Sequence, residues 1–232
     1  MNAPSISQAA ENLIVEEEVT SEAAYRRRYA APTWPGGGSG VTIGIGYDVG
    51  TQAPATVQED WTEALGADAV RRLVRCCGVL GPSAQGMAVA LNDLSVPWEA
   101  ARRVFRERTL PAVMAQVLAK VPNANDLSPD CLGALVSLAY NRGASFTVQG
   151  PRYAEMRAIA DAGARRAWAE VPAQIRSMKR LWAAAGLDGL LTRREREAAL
   201  FEQGLASVPV VVPPAALVRS APAMAEERGS NG

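Results

Sequence analysis

The chain has 232 residues, of which 48% are hydrophobic and 21% are charged, a composition typical of a globular protein and not of a disordered one. Lysine plus arginine and aspartate plus glutamate each number 24, so there is no basic excess of the kind that binds nucleic acids. Because histidine is absent, Ser-His-Asp triads and nearly all zinc hydrolase sites are excluded, and proton transfer must use carboxylates, lysine, tyrosine, cysteine or water.

The N-terminal part of the chain changes character twice. Residues 1–11 are predicted to form a flexible N-terminal segment, and they lack the basic and apolar regions of a signal peptide. Apolar periodicity, with acidic residues early and basic residues late, predicts a helix over 12–29. The glycine-rich stretch 34–50 then alternates β-branched residues with glycine, which predicts a short strand or hairpin.

The rest of the chain up to the tail follows a helical pattern. Ser128 and Pro129 form a helix start, and Thr192 with Glu195 forms a capping box. The predicted helices cover 57–65, 67–77, 82–92, 97–120, 128–142, 152–162, 164–185 and 192–206. The many prolines and small residues of 207–232 predict a Pro-rich, disordered tail.

Cysteine usage and hydropathy give two further expectations. The odd set of Cys76, Cys77 and Cys131 is not a disulfide framework and contains no CxxC motif, so we expect reduced thiols and no metal site. The longest apolar runs are much shorter than the roughly 20 residues of a membrane span. We therefore expect a chain that is made in the cytoplasm without a signal peptide and does not span a membrane.

Carboxylates and a hydroxyl in the first two elements could carry chemistry. Glu18 and Glu22 lie four residues apart and so on one helix face, and the hairpin adds Thr42 and Asp48. A glycosidase needs one carboxylic acid to protonate the leaving oxygen and a second carboxylate to activate water. An acidic pair on an amphipathic helix is more often a solvated face, and the pattern alone leaves both interpretations open.

The segment WPGGGSGVTIGIGYDVG at 34–50 resembles the hairpin of the phage-type lysozyme (muramidase) superfamily. In that family a catalytic glutamate on the first helix is followed seven residues later by a tyrosine and then by a T-I-G-x-G hairpin. Glu18 and Tyr25 keep this spacing, and Glu22 and Tyr29 keep it too. The resemblance favours Glu18, because it directly precedes a Val-Thr-Ser segment, but the alternative stays open.

Two later segments resemble the same family, in the family's order. The sequence LVSLAYNRG at 135–143 is similar to its central helix, and GLLTRREREAALF at 189–201 is similar to its C-terminal segment. We predict that Arg193 and Arg194 of the second segment pair with Glu197 and with the N-terminal lobe. Together the three matches frame residues 12–206.

The resemblance implies roles for particular residues. Gly36 stands where the commonest phage pattern has an aspartate, so the second carboxylate is placed at Asp48, six residues after Thr42, as in pesticin-like members. Glu18 would be the general acid, Asp48 would orient or deprotonate the attacking water, and Thr42 would hydrogen-bond that water. The residues expected to contact substrate are Tyr25, Tyr47 and Asn141.

The resemblance also implies a fold and a function. The fold is a predominantly helical α+β, lysozyme-like domain with a small N-terminal β-hairpin lobe and a larger helical lobe. The function is hydrolysis of the β-1,4 bond between N-acetylmuramic acid and N-acetylglucosamine in peptidoglycan, without a cofactor. Lytic transglycosylase-type cleavage, or a non-catalytic glycan-binding or virion structural module, are the alternatives.

The same resemblance implies where the protein acts and how it gets there. We expect a monomer that acts in the periplasm on peptidoglycan strands after release or delivery. The partner in delivery would be a holin, a phage tail or a secretion system, engaged through the C-terminal tail. The choice among these partners, and between inverting and retaining chemistry, stays open at this point, although the phage members favour inversion.

Overall fold

A computed structural model of the protein describes residues 4–183 and 186–207. Within these ranges the chain is mainly helical, with a single antiparallel sheet of two strands. The predicted class, α+β and predominantly helical, is therefore confirmed. The predicted tail after Ser207 lies outside the described residues.

The N-terminal region contains two helices where one was predicted. Helix α1 (Gln8–Val19) begins inside the N-terminal segment 1–11 that was expected to be flexible, because the Ser7 hydroxyl caps its first turn. The chain breaks at Thr20, whose φ is +66°. Helix α2 (Glu22–Arg28) follows, capped by the Ser21 side chain. Because of the break, the acidic residues of the two helices do not share one helical face.

A β-hairpin follows α2, as predicted. Strand β1 (Thr42–Ile43) pairs with strand β2 (Tyr47–Asp48), and Thr42 lies directly opposite Asp48 in the register. Gly44 and Gly46 in the turn have φ values of +58° and +68°, a region that favours glycine. The tight turn places a hydroxyl and a carboxylate side by side on adjacent strands.

Four helical stretches follow the hairpin. The fourth, over 98–120, is interrupted by a π-helical turn at Phe105–Thr109, next to Pro111, whose ring nitrogen cannot donate the usual helical hydrogen bond. The helices are α3 (Pro54–Leu65), α4 (Ala67–Val74), α5 (Pro82–Val89), α6 (Trp98–Val104) and α7 (Leu110–Lys120).

The C-terminal half confirms the predicted helical pattern but not all of its boundaries. The long helix predicted over 164–185 is wrong within the described residues: the chain turns at Arg166, which has φ +58°, and only a short helix follows. The predicted capping box at Thr192 is also wrong, because the last helix begins four residues earlier. The helices are α8 (Pro129–Arg142), α9 (Ala154–Arg165), α10 (Val171–Ser177) and α11 (Asp188–Ala206).

Helix α8 is the centre of the core and packs against α1, α7 and α11. Every residue from Cys131 to Ala139 is buried. Two glycines allow the close approach: a Cβ at Gly133 would lie 2.1 Å from Ala10 of α1, and one at Gly204 of α11 would lie 2.7 Å from Cys131. Helices α1 and α11 are therefore fixed against the same central helix.

The three cysteines are free thiols, as predicted. Burial raises the pKa of the Cys76 thiol to about 11, so it is not a reactive thiolate at neutral pH. No helix in the described part of the chain is long and apolar enough to cross a membrane.

Candidate active site

Glu18 lies near the end of α1 and is held by a buried arginine of α11. Its Oε1 accepts a hydrogen bond from Nη1 of Arg193 at 2.8 Å, and the two side chains are 23% and 3% exposed. The same guanidinium donates to Glu197 at 3.1 Å and to the Ser137 carbonyl at 3.1 Å. The carboxylate of Glu18 therefore has a fixed position at the surface of the core.

A cavity of about 410 Å³ lies between the end of α1 and the hairpin. Glu18, Thr42 and Asp48 all line it, so the structure brings the three predicted catalytic residues together. Glu22 does not line this cavity; it lies on α2 in an exposed ion pair with Arg26. Of the two glutamates between which the sequence left the choice open, Glu18 is therefore the one that lies beside Thr42 and Asp48.

The Asp48 carboxylate is anchored to the hairpin backbone. Its Oδ2 accepts a hydrogen bond from the Gly40 N–H at 3.0 Å. Its Oδ1 is buried and has no hydrogen-bond partner among the described residues. The hydroxyl of Thr42 makes only a long contact, 3.5 Å, with the Gly40 carbonyl, so this hydroxyl is nearly free to bind another group.

Tyr140 of α8 joins the hairpin to the helical core beside Glu18. Its hydroxyl donates to the Ile45 carbonyl at 2.6 Å. Burial raises the pKa of the Tyr140 phenol, and the charge of Glu18 raises it further. Tyr140 is a site residue that the sequence did not predict, although it lies within the LVSLAYNRG segment.

Tyr47 faces away from the cavity that contains Glu18. Its hydroxyl donates to Asp60 at 2.8 Å, and its ring packs edge-on against Trp61. It lines a neighbouring cavity of about 420 Å³, which also reaches Asp48. The predicted substrate contact of Tyr47 stays a prediction, placed at this adjoining cavity.

Tyr25 belongs to the core and not to the groove. It is fully buried, its hydroxyl donates to the Val96 carbonyl at 2.9 Å, and its ring centroid lies 5.1 Å from that of Trp98. The predicted contact between Tyr25 and substrate is therefore wrong. The spacing of seven residues from Glu18 places this side chain across the helix break, where it anchors α2.

Asn141 lies in the last turn of α8 and is exposed. It lines a further cavity of about 290 Å³ together with Glu18 and Arg193. Its Oδ1 accepts a hydrogen bond from Nη2 of Arg194 at 3.3 Å. Since Glu18 lines both this cavity and the one at the hairpin, a groove continues from the hairpin past Glu18 to Asn141.

Buried charges beneath Glu18 form the ion pairs that the sequence predicts. Arg193 and Arg194 both pair with Glu197, and all three side chains are almost completely buried. Burial lowers the pKa of Arg194 to about 10. Buried pairs of this kind are costly to break, because removing one member leaves the other charge without a partner.

Comparison with models of known protein families finds none that matches the chain. Comparison with curated proteins finds no significant match either.

Proposed function

We propose that the protein is a peptidoglycan hydrolase of the muramidase type, with the groove over Glu18 as its active site. The observation that carries this proposal is the shared cavity of Glu18, Thr42 and Asp48 between α1 and the hairpin. Two carboxylates flanking a groove are what glycoside hydrolysis requires. The resemblance of the hairpin and of two later segments to phage-type lysozymes supports the same function.

In the proposed mechanism Glu18 is the general acid. One of its oxygens is occupied by Arg193, and the other, Oε2, faces the hairpin, 3.5 Å from where a Cβ of Gly46 would lie. A proton on this carboxyl would pass to the leaving glycosidic oxygen as the bond from that oxygen to the muramic acid C1 breaks.

Asp48 and Thr42 would act on the attacking water. The Asp48 carboxylate takes a proton from the water as the water oxygen bonds to C1, and the Thr42 hydroxyl orients it. Their placement on paired strands supports hydrolysis over transglycosylase-type cleavage, in which no water attacks. We propose that the chain reaches the periplasm by a holin, a phage tail or a secretion system.

The test is digestion of isolated Gram-negative peptidoglycan, followed by mass spectrometry of the products. We expect reducing muramic acid ends with the wild type and with Glu22→Gln, and none with Glu18→Gln. Glu22→Gln is the matched control, because it makes the same chemical change at an exposed ion pair four residues away. Products with anhydro-muramic ends would indicate transglycosylase-type cleavage instead of hydrolysis. If the wild type gives no products, the proposal of an enzyme is refuted.

A further inference from the structure

A cavity of about 270 Å³ lies at the end of the groove, beyond Asn141. It shares Asn141 and Leu190 with the cavity that contains Glu18, so the two adjoin. We call it the arginine cavity, and its lining residues are Asn141, Arg142, Arg152, Tyr153, Trp182 and Leu190. None of its arginines has a part in the mechanism described above.

Arg142 has hydrogen-bonding capacity that the residues described by the structure do not use. Its Nη2 donates to the Arg152 carbonyl at 2.9 Å, and its guanidinium lies 5.0 Å from the centre of the Trp182 ring. Its Nε and Nη1 are buried and have no hydrogen-bond partner among the described residues. A guanidinium that is both shielded from water and incompletely hydrogen-bonded is energetically unfavourable until an anion approaches it.

The charge around this cavity is positive. Arg152 is exposed and makes no ion pair within residues 4–183 and 186–207. The nearby carboxylate of Glu155 is already bound by Arg180. Burial lowers the pKa of Arg142, and the charge of Arg152 lowers it further. The charged side chains that act on Arg142 are thus Arg152 and Arg180, against the single carboxylate of Glu155, in a chain whose formal net charge is zero.

We propose that the arginine cavity binds a carboxylate of the peptide that is attached to muramic acid in the substrate strand. This inference rests on the proposed muramidase function. Guanidinium groups bind carboxylates through paired, charge-assisted hydrogen bonds, and the rings of Tyr153 and Trp182 supply apolar walls for the peptide. A glycan strand that crosses Glu18 and Asn141 would bring its peptide substituent to this cavity.

The first test compares peptide-bearing glycan strands with strands from which an amidase has removed the peptides. For Arg152→Gln we expect kcat/KM on peptide-bearing strands to fall about tenfold and to stay unchanged on peptide-free strands. Arg75→Gln is the matched control, since it removes one exposed positive charge that lines none of the cavities described. An equal effect of Arg152→Gln on both substrates, or no effect, would overturn the proposal.

A binding measurement separates this proposal from the catalytic one. A soluble disaccharide-peptide and its carboxyl-amidated form are titrated calorimetrically into Glu18→Gln protein, which cannot turn them over. We expect amidation, or Arg152→Gln in the same background, to weaken binding about tenfold. If the wild type cleaves no glycan but binding still depends on the carboxylate, the muramidase proposal is refuted and the carboxylate site stands. Equal binding of the two ligands would refute the proposal that the arginine cavity binds a carboxylate.

Discussion

Arg193 of α11 donates a hydrogen bond to Glu18 of α1 across 175 residues of sequence, with 2.8 Å between Nη1 and Oε1. The arginine is buried and also contacts Glu197 and Ser137. The position of the proposed general acid therefore depends on the packing of the last helix of the domain. A change at Glu197 of α11, which lines neither cavity of the groove, would therefore act on the proposed general acid through Arg193.

We expect Arg193→Gln to destabilise the fold by about 3 to 5 kcal/mol, because Glu197 would lose one of its two buried cationic partners. The measurement is the free energy of unfolding in urea. The matched control is Arg196→Gln, which removes a 40% exposed side chain that pairs with Glu16 and Glu17 on the same helix pair. It should cost about 1 kcal/mol or less, and equal losses in the two variants would contradict the prediction.

Asp48→Asn tests the proposed second carboxylate. The new amide oxygen can still accept from the Gly40 N–H, so the hairpin should be retained, but it cannot take a proton from water. We expect kcat on peptidoglycan to fall by about 10² to 10⁴, with a thermal unfolding midpoint close to that of the wild type. Asp68→Asn serves as control, since that side chain is 91% exposed. Full activity in Asp48→Asn would exclude Asp48 from the mechanism.

The sequence predicted the helical class, the hairpin and the meeting of Glu18, Thr42 and Asp48. The resemblance favoured Glu18 but did not exclude Glu22, because the position of each glutamate relative to the hairpin depends on a break at Thr20, a threonine with positive φ, which is rare for a β-branched residue. The burial of Tyr25 also depends on that break.

The arginine cavity was not predictable from the sequence either. Arg142 and Arg152 are ordinary members of polar segments in the sequence. Trp182 packs over Arg142 and Glu155 pairs with Arg180, so these guanidinium groups have no carboxylate partner within the described part of the chain. Long-range contacts of this kind have no signature in local pattern.

Gly40 is expected to be irreplaceable by alanine, for a reason specific to Asp48. A Cβ at this position would lie 2.5 Å from the Asp48 Oδ1 and 2.6 Å from the Gly50 Cα. We expect Gly40→Ala to cost about 1 to 3 kcal/mol of stability and to lower kcat by displacing the carboxylate. Gly38→Ala is the matched control, because nothing lies within 4 Å of its Cβ position. Both variants are compared by urea denaturation and by peptidoglycan digestion, and equal behaviour would contradict the predicted clash.

Glu155 of α9 should make the stability of the fold depend on pH in the acid range. Burial acts to raise the pKa of this carboxyl, but hydrogen bonding and the charge of Arg180 outweigh burial. The pKa of Glu155 therefore lies below the ordinary value of 4.5. A carboxyl whose pKa is lower in the folded state stabilises the fold above the unfolded pKa and loses that contribution as pH falls through the folded value. Glu155→Gln should therefore cost about 1 to 3 kcal/mol at pH 7.

The difference in unfolding free energy between wild type and Glu155→Gln should shrink as pH falls from 7 to about 3. The measurement is urea denaturation at several pH values, with Glu170→Gln as control. Glu170 also pairs with an arginine, but this ion pair lies at the surface, where solvent screening leaves little stabilisation to lose. Because Arg180 binds the Glu155 carboxylate, protonation of Glu155 removes the charge that this guanidinium faces. A difference that stayed constant across this range would mean that Glu155 acts through packing and not through its charge.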